Sequence, residues 1–136
     1  MSDIDSALAA AASGMRAQTL RMRIAAENVA NANSTGVDAN EEPFRRRIPL
    51  LESTTLAGDV RGVAIRGART DPSDFRREYN PSHPAAGEDG YVRLPNVDTL
   101  VEMMDLRDAT RAYEANLNMI EAARAMTTRA LDLLRR

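Results

Sequence analysis

The sequence predicts a mainly α-helical chain with a small β insert: long amino- and carboxyl-terminal helices pack as a coiled-coil-like pair, and a short-stranded, β-rich segment lies between them. Three observations predict it. Both ends carry apolar stripes at steps of three and four residues, the spacing of one helix face. No Pro or Gly interrupts the chain from Val97 to Arg136. All six prolines, five of the seven glycines and four of the five aromatic residues fall within residues 37–96, where turns and short strands use them. The chain therefore divides into an amino-terminal helix over 1–36, a β-rich insert over 37–96 and a carboxyl-terminal helix over 97–136.

The first helix has its start signal at Ser2-Asp3-Ile4-Asp5. A Ser hydroxyl and an acid three residues later satisfy backbone N–H groups that have no partner inside the helix. From Ile4 the stripe runs through Leu8, Ala11, Met15, Gln18, Met22, Ala25, Val29 and Ala32, the 3.5-residue spacing of a coiled-coil seam. It stops at Asn31-Ala32-Asn33-Ser34-Thr35-Gly36, where Asn and Gly are expected to close the helix in the left-handed conformation.

The second helix is expected to start with Asp98 or Thr99 as its cap, Glu102 completing a Thr-x-x-Glu box. Its stripe is Met103, Leu106, Thr110, Tyr113, Leu117, Ile120, Arg124, Thr127, Leu131 and Leu134, widened by Ala109, Ala112, Ala123 and Ala130. Asp98, Glu102 and Asp105 at its start and Arg129, Arg135 and Arg136 at its end favour the helix dipole.

Between the helices, residues 44–51, 60–65, 77–79 and 91–94 read as short strands, separated by turn signals such as Ala57-Gly58-Asp59 and Gly87-Glu88-Asp89-Gly90. A segment of this size is marginal alone, so it rests on the helices. The seams are weak in a telling way. They are rich in Ala and Met, and such residues bury little area per helix turn. A self-contained helical hairpin is one outcome; packing against other copies, which supplies the missing burial, is the outcome these lengths favour.

Composition removes several functions. The net charge of −2 is spread evenly along the chain, so no basic face for nucleic acid emerges. All 18 basic residues are Arg, which reads as the codon bias of a GC-rich genome, although Arg also suits buried interface ion pairs better than Lys does. Without Cys there is no disulfide framework, thiolate metal site or cysteine nucleophile. No apolar run is long enough for a membrane span, and the amino terminus lacks the pattern of a secretory signal, so a dedicated export path is expected if the protein acts outside the cytoplasm. His83, the one histidine, sits between Pro81-Ser82 and Pro84, without the partners that catalysis needs. It reads as a turn-stabilising or interface side chain. Arg45-Arg46-Arg47 is balanced by Glu41, Glu42 and Glu52 and is read as ion pairing with neighbouring subunits. No cofactor, metal or small-molecule substrate is expected.

The helix end Ala26-Glu27-Asn28-Val29-Ala30-Asn31-Ala32-Asn33-Ser34-Thr35-Gly36 resembles the Asn-rich signature of the bacterial flagellar rod and hook proteins. Tyr79 to Pro84 with Gly90 to Val97, and Glu102 to Leu106 with Ala109 to Asn116, are similar to the proximal rod members of that family. The resemblance implies a structural subunit of the basal-body rod that crosses the periplasm, not an enzyme. It implies helical stacking with other rod proteins and with copies of itself, after export by the flagellar type III apparatus without a cleavable signal peptide. It also implies an inner layer of terminal helices and an outer layer made by the insert. The assembly positions expected on this basis are Asn28, Asn31, Asn33, Gly36, Pro81, His83, Pro84, Tyr113 and Asn116. The seams Leu8, Met15, Met22, Val29, Leu106, Leu117, Ile120 and Leu131 join them. The residues alone leave a second reading open: a generic coiled-coil adaptor or small homo-oligomeric scaffold outside the flagellum.

Overall fold

A computed structural model describes residues 2–136. Helix α1 runs over Asp3–Ala30 and helix α2 over Thr99–Leu134. Strands β1 (Arg47–Thr55) and β2 (Arg61–Thr70) form one antiparallel hairpin, and β3 (Arg76–Tyr79) and β4 (Tyr91–Leu94) form another. The mainly helical class with a small β region between the helices is thus the observed one. Strand β1 starts three residues later than expected because the Arg46 N–H donates to the Asn96 side chain (2.8 Å) instead of joining a ladder. Both hairpins belong to the insert, but β1 and β2 pack along α1 while β3 and β4 pair only with each other.

Local chemistry sets the boundaries. Ser2 Oγ accepts from the Asp5 N–H at 3.2 Å, and the Asp5 carboxylate accepts from the Ser2 N–H, so the capping box forms as read. The other end of α1 differs from expectation. Asn31 closes it at φ −101°, ψ 8°, outside the left-handed region, and its side-chain amide donates to the Glu27 carbonyl at 2.8 Å. With that carbonyl satisfied, no left-handed residue is needed. Gly36 is required for space instead: a Cβ there would lie 2.4 Å from the Glu41 carbonyl oxygen. At α2, Asp98 is the cap, accepting from the Leu100 N–H at 3.0 Å. The Thr-x-x-Glu box does not form, because Glu102 is drawn into an ion pair described below.

The long hairpin turns through Gly58 and Asp59, both at positive φ, as the Ala57-Gly58-Asp59 signal implied. Its register slips between Pro49 and Leu51, where Arg66 and Gly67 oppose the single residue Leu50. Pro49 has no N–H to give the ladder, and Gly67 takes φ 125°, so the bulge falls where the sequence tolerates it.

The core is thin. Ten hydrophobic residues are buried, and seven of them are alanines; Ile24, Val92 and Val97 complete the set, with no Leu or Met among the described residues. The accessible surface is 9187 Å², whereas a compact chain of 14.9 kDa exposes about 7,000 Å². Elongated helices with small seam residues account for the difference, and much of the excess is apolar.

Candidate assembly interface

The charged cluster of the insert is an internal junction. Arg46 lies between the helices and pairs with Glu102, with Asp71 (3.3 Å) and with Asp105 (3.6 Å); Asp105 is shared with Arg21 of α1 (3.4 Å). Glu102, only 1% exposed, is the largest fully buried side chain. Around this centre the backbone is held by amides. Asn28 of α1 accepts from the Arg47 N–H (3.0 Å) and donates to the Arg47 carbonyl (2.8 Å), a two-way clamp that mimics a strand partner. Asn96 accepts from Arg46 and donates to the carbonyls of Asp71 and Ser73. Five segments thereby meet: the end of α1, the start of β1, the 71–73 turn, the residues before α2 and α2 itself. The triple Arg was read as pairing with neighbouring subunits. Arg46 pairs within the chain instead, and Arg47 pairs with Glu27 of α1 at 3.0 Å. Arg45 donates to the carbonyls of Asp71 and Ser73 and lies over the Phe75 ring.

Burial alone would weaken the hold of Arg46 on its proton. Glu102 and Asp71 more than reverse this, and the guanidinium is held charged beyond its ordinary range. For Asp71, the N–H and hydroxyl of Ser73 come first and Arg46 adds to them, holding the carboxyl below its usual value despite some desolvation. A depressed folded-state value means that its stabilising contribution is complete above the ordinary carboxylate range, near pH 3.9. The contribution is lost as pH falls through the depressed value. The Asp71 contribution is therefore constant near neutral pH, and thermal stability should fall below about pH 4 as the carboxyl takes up its proton. Asp71→Asn should flatten that part of the acid limb in a pH series of melting curves; an unchanged acid limb would remove Asp71 from the account.

Helices α1 and α2 run antiparallel. Gly14 faces Asn116 so closely that a Cβ on Gly14 would lie 2.8 Å from the Asn116 side chain, and Thr110 Oγ1 lies 3.6 Å from Met22 Sδ. The most buried line of α2 is Glu102, Ala109, Asn116 and Ala123, spaced by sevens and one position ahead of Met103, Thr110, Leu117 and Arg124 on the stripe read from the sequence. Small residues at 109 and 123 let the helices approach, and the ion pair accommodates Glu102.

The seam positions consequently divide. Leu8, Met15, Met22, Val29, Leu106 and Ile120 are half-buried, while Leu117 is 37% and Leu131 57% exposed. On the side of the helix pair away from the hairpin, Ala12, Met15, Thr19 and Leu20 of α1 and Tyr113 and Ile120 of α2 line an open, mostly apolar groove of about 590 Å³. Between the helices and the hairpin a second groove contains Gln18, whose buried Oε1 has no hydrogen-bond partner in the chain.

The remaining positions named from the sequence sit at the other end. His83 Nδ1 accepts from the Ala85 N–H at 3.0 Å, and the His83 N–H donates to the Asn80 carbonyl, so this histidine stabilises the turn that carries Pro81 and Pro84. Asn33 and His83 border one shallow depression together with Asn80. Gly90, at φ 80°, leaves room for the Tyr79 ring and Pro81, and Tyr79 packs edge-on against Tyr91 at 5.3 Å. The named residues thus form no single site: Asn28 belongs to the junction, His83 and Asn33 to the turn, Tyr113 to the outer groove and Asn116 to the groove beside the hairpin, while Asn31 serves its own helix. Sequence reasoning missed Arg46, Asp71, Asn96 and Glu102 as one unit. Its only trace was an arginine run beside acids far away in sequence. Among the described residues there is no group of His or acidic side chains able to hold a metal ion, and no helix long and apolar enough to cross a membrane.

Known proteins share this arrangement of sequence. Residues 88–133, from the turn before β4 through most of α2, match the family described as flagellar basal body rod FlgEFG protein C-terminal. Over 136 residues the chain is 39% identical to the flagellar basal-body rod protein FlgC of Agrobacterium fabrum, covering 99% of this chain and 98% of the relative. It is 40% identical over 134 residues to the FlgC protein of Aquifex aeolicus, covering 97% and 98%. The FlgC protein of Bacillus subtilis is 36% identical over 138 residues, covering 90% and 92%.

Proposed function

The chain belongs to the family of the flagellar basal-body rod protein FlgC, and from that premise we propose that it stacks helically in the proximal rod with its two long helices completed by neighbouring subunits. It is a structural subunit of the flagellar basal-body rod and not an enzyme, and it assembles with other rod proteins. The finer reading concerns how. The apolar groove beside Met15 and Tyr113 and the exposed positions Leu117 and Leu131 receive helices of adjacent subunits, other rod proteins and copies of this chain among them. The helices make the inner layer and the two hairpins the outer one. The Arg46 junction fixes the angle between the layers. Export through the flagellar type III apparatus, without a cleaved signal peptide, delivers the chain to a rod that crosses the periplasm.

The observation that carries this reading is the alanine core. Five buried alanines and Ile24 cannot by themselves hold helices of 28 and 36 residues against their conformational entropy. The helix halves far from the junction are therefore partly disordered in the dilute subunit and fold on docking, which also keeps the chain threadable for export. Circular dichroism of the purified, dilute chain should show well under half of its residues as cooperatively melting helix, with a gain on mixing with other rod proteins. A monomer already showing about half its residues as stable helix, with no gain on mixing, would sink the idea.

A further inference from the structure

We propose that Ser13 of α1 is a latch for the long hairpin: it takes hold of β2 only when the amino half of α1 is helical, so the hairpin is set in place as the subunit docks. This rests on the reading that this half of the helix folds on docking, and adds the side chain that passes the folding on to the hairpin. Two side chains of α1 hold backbone groups of the hairpin, one on each strand. Asn28 clamps Arg47 at the open end, beside the Arg46 junction. Ser13 Oγ accepts from the Val63 N–H at 3.1 Å, close to the turn. The same hydroxyl donates to the Ala10 carbonyl at 2.7 Å, which uses its one proton and leaves its lone pairs for Val63. That carbonyl, three residues back, lies within reach of the hydroxyl because the segment is helical. The aim of the latch is thus a property of folded α1.

The spacing of the two points fits both elements. Ser13 and Asn28 are fifteen residues apart, about 22 Å of helix axis. Arg47 and Ser53, the residue that faces Val63, are six apart, about 20 Å of strand. Both points are therefore met at once. The bulge supplies the correct edge. Because Arg47 gives both of its backbone groups to Asn28, every second residue of β1 from Arg47 to Ser53 turns those groups away from β2. The residues facing them turn theirs away from β1, and Val63 is one of these only because β2 carries an extra residue opposite Leu50. Without it Ser53 would face Ala64, and the Val63 N–H would enter the ladder. Gly62 allows the approach: a Cβ there would lie 2.8 Å from Ser13 Oγ. Otherwise the turn half of the hairpin stands off the helices across the groove of about 700 Å³ lined by Gly14, Gln18, Ser53 and Val63. Among the described residues, the Ser13 bond is the only hydrogen bond from residues 51–66 to either helix.

The chain has no Cys, and the closeness of the Gly62 Cβ position to Ser13 suits a disulfide, whose Cβ atoms lie about 3.5–4.5 Å apart. Ser13→Cys with Gly62→Cys is prepared as the dilute purified chain and in basal bodies from cells carrying it as their sole copy. Both samples are reduced, freed of reductant and oxidised with copper phenanthroline, and the linked 13-to-62 peptides are quantified by mass spectrometry. The expected result is nearly complete closure within the chain in basal bodies. Closure there should be roughly tenfold faster than in the dilute chain, where the rate follows the fraction of molecules with α1 folded. If the double variant fails to enter basal bodies, Ser13→Ala is compared with the unchanged chain by hydrogen exchange in basal bodies. The peptide containing Val63 should then exchange faster, and the one containing Arg47 should not. Basal bodies that hold the Cys variant without a 13-to-62 link, or Val63 exchange unchanged by Ser13→Ala, overturn the proposal. Equally fast closure in a dilute chain whose circular dichroism shows α1 unfolded also overturns it. Equally fast closure in a dilute chain that is already fully helical would instead overturn the premise of folding on docking, a separate outcome.

Discussion

Arg46→Ala should destabilise the chain by about 3–5 kcal/mol, because it leaves Glu102 charged and buried without its partner. For a chain of this length that is a fall in melting temperature of roughly 10–15 °C. Asp71 and Asp105 lose the same partner, so the 71–73 turn and the start of α2 loosen together. Limited proteolysis should then cut first in the 71–75 turn or just before Asp98, and urea denaturation should show the lost stability directly. Replacing both sides, Arg46→Met with Glu102→Leu, removes the stranded charge and should recover most of the loss. If Arg46→Ala costs less than about 1 kcal/mol, the junction does not hold the insert to the helices.

Leu117→Asp should abolish motility while changing the stability of the free chain by only about 0.5 kcal/mol, as is usual for a surface position. The side chain is 37% exposed in the isolated chain, so the carboxylate stays hydrated there. In a packed rod the same carboxylate would lose its water without gaining a partner, a cost of several kcal/mol per subunit. Ala109→Asp is the useful contrast: Ala109 has no exposed surface, so its variant should fail at folding before assembly. Soft-agar swimming, melting curves and immunoblots of whole cells separate the two. Normal swimming by Leu117→Asp cells would show that this side of α2 faces no neighbour.

The two variants also mark where sequence reading succeeded and where it slipped. The stripe through Leu117 was found by spacing, but spacing could not say which of two adjacent stripes meets α1. Ala109 and Ala123 won the inner line because their small side chains let the helices approach, although larger apolar neighbours looked like better seam residues. The Asn-rich helix end was recognised as a unit. Its mechanism was not, because Asn28 serves β1 while Asn31 serves its own helix.

The sequence by itself determined the two helices, the cap at Ser2 and, to within one residue, the cap at Asp98, the hairpin turns, the turn around His83 and the family. Each of these is encoded within a few residues, through backbone hydrogen bonds, proline and glycine geometry, or a local motif. Only the tertiary structure decided that Glu102 is buried and not a capping residue, that Arg46 turns inward, and that α2 leaves its tail bare. The ion pairs among those outcomes join partners 25 to 59 positions apart, where the geometry of approach, not local preference, settles which charge finds which partner.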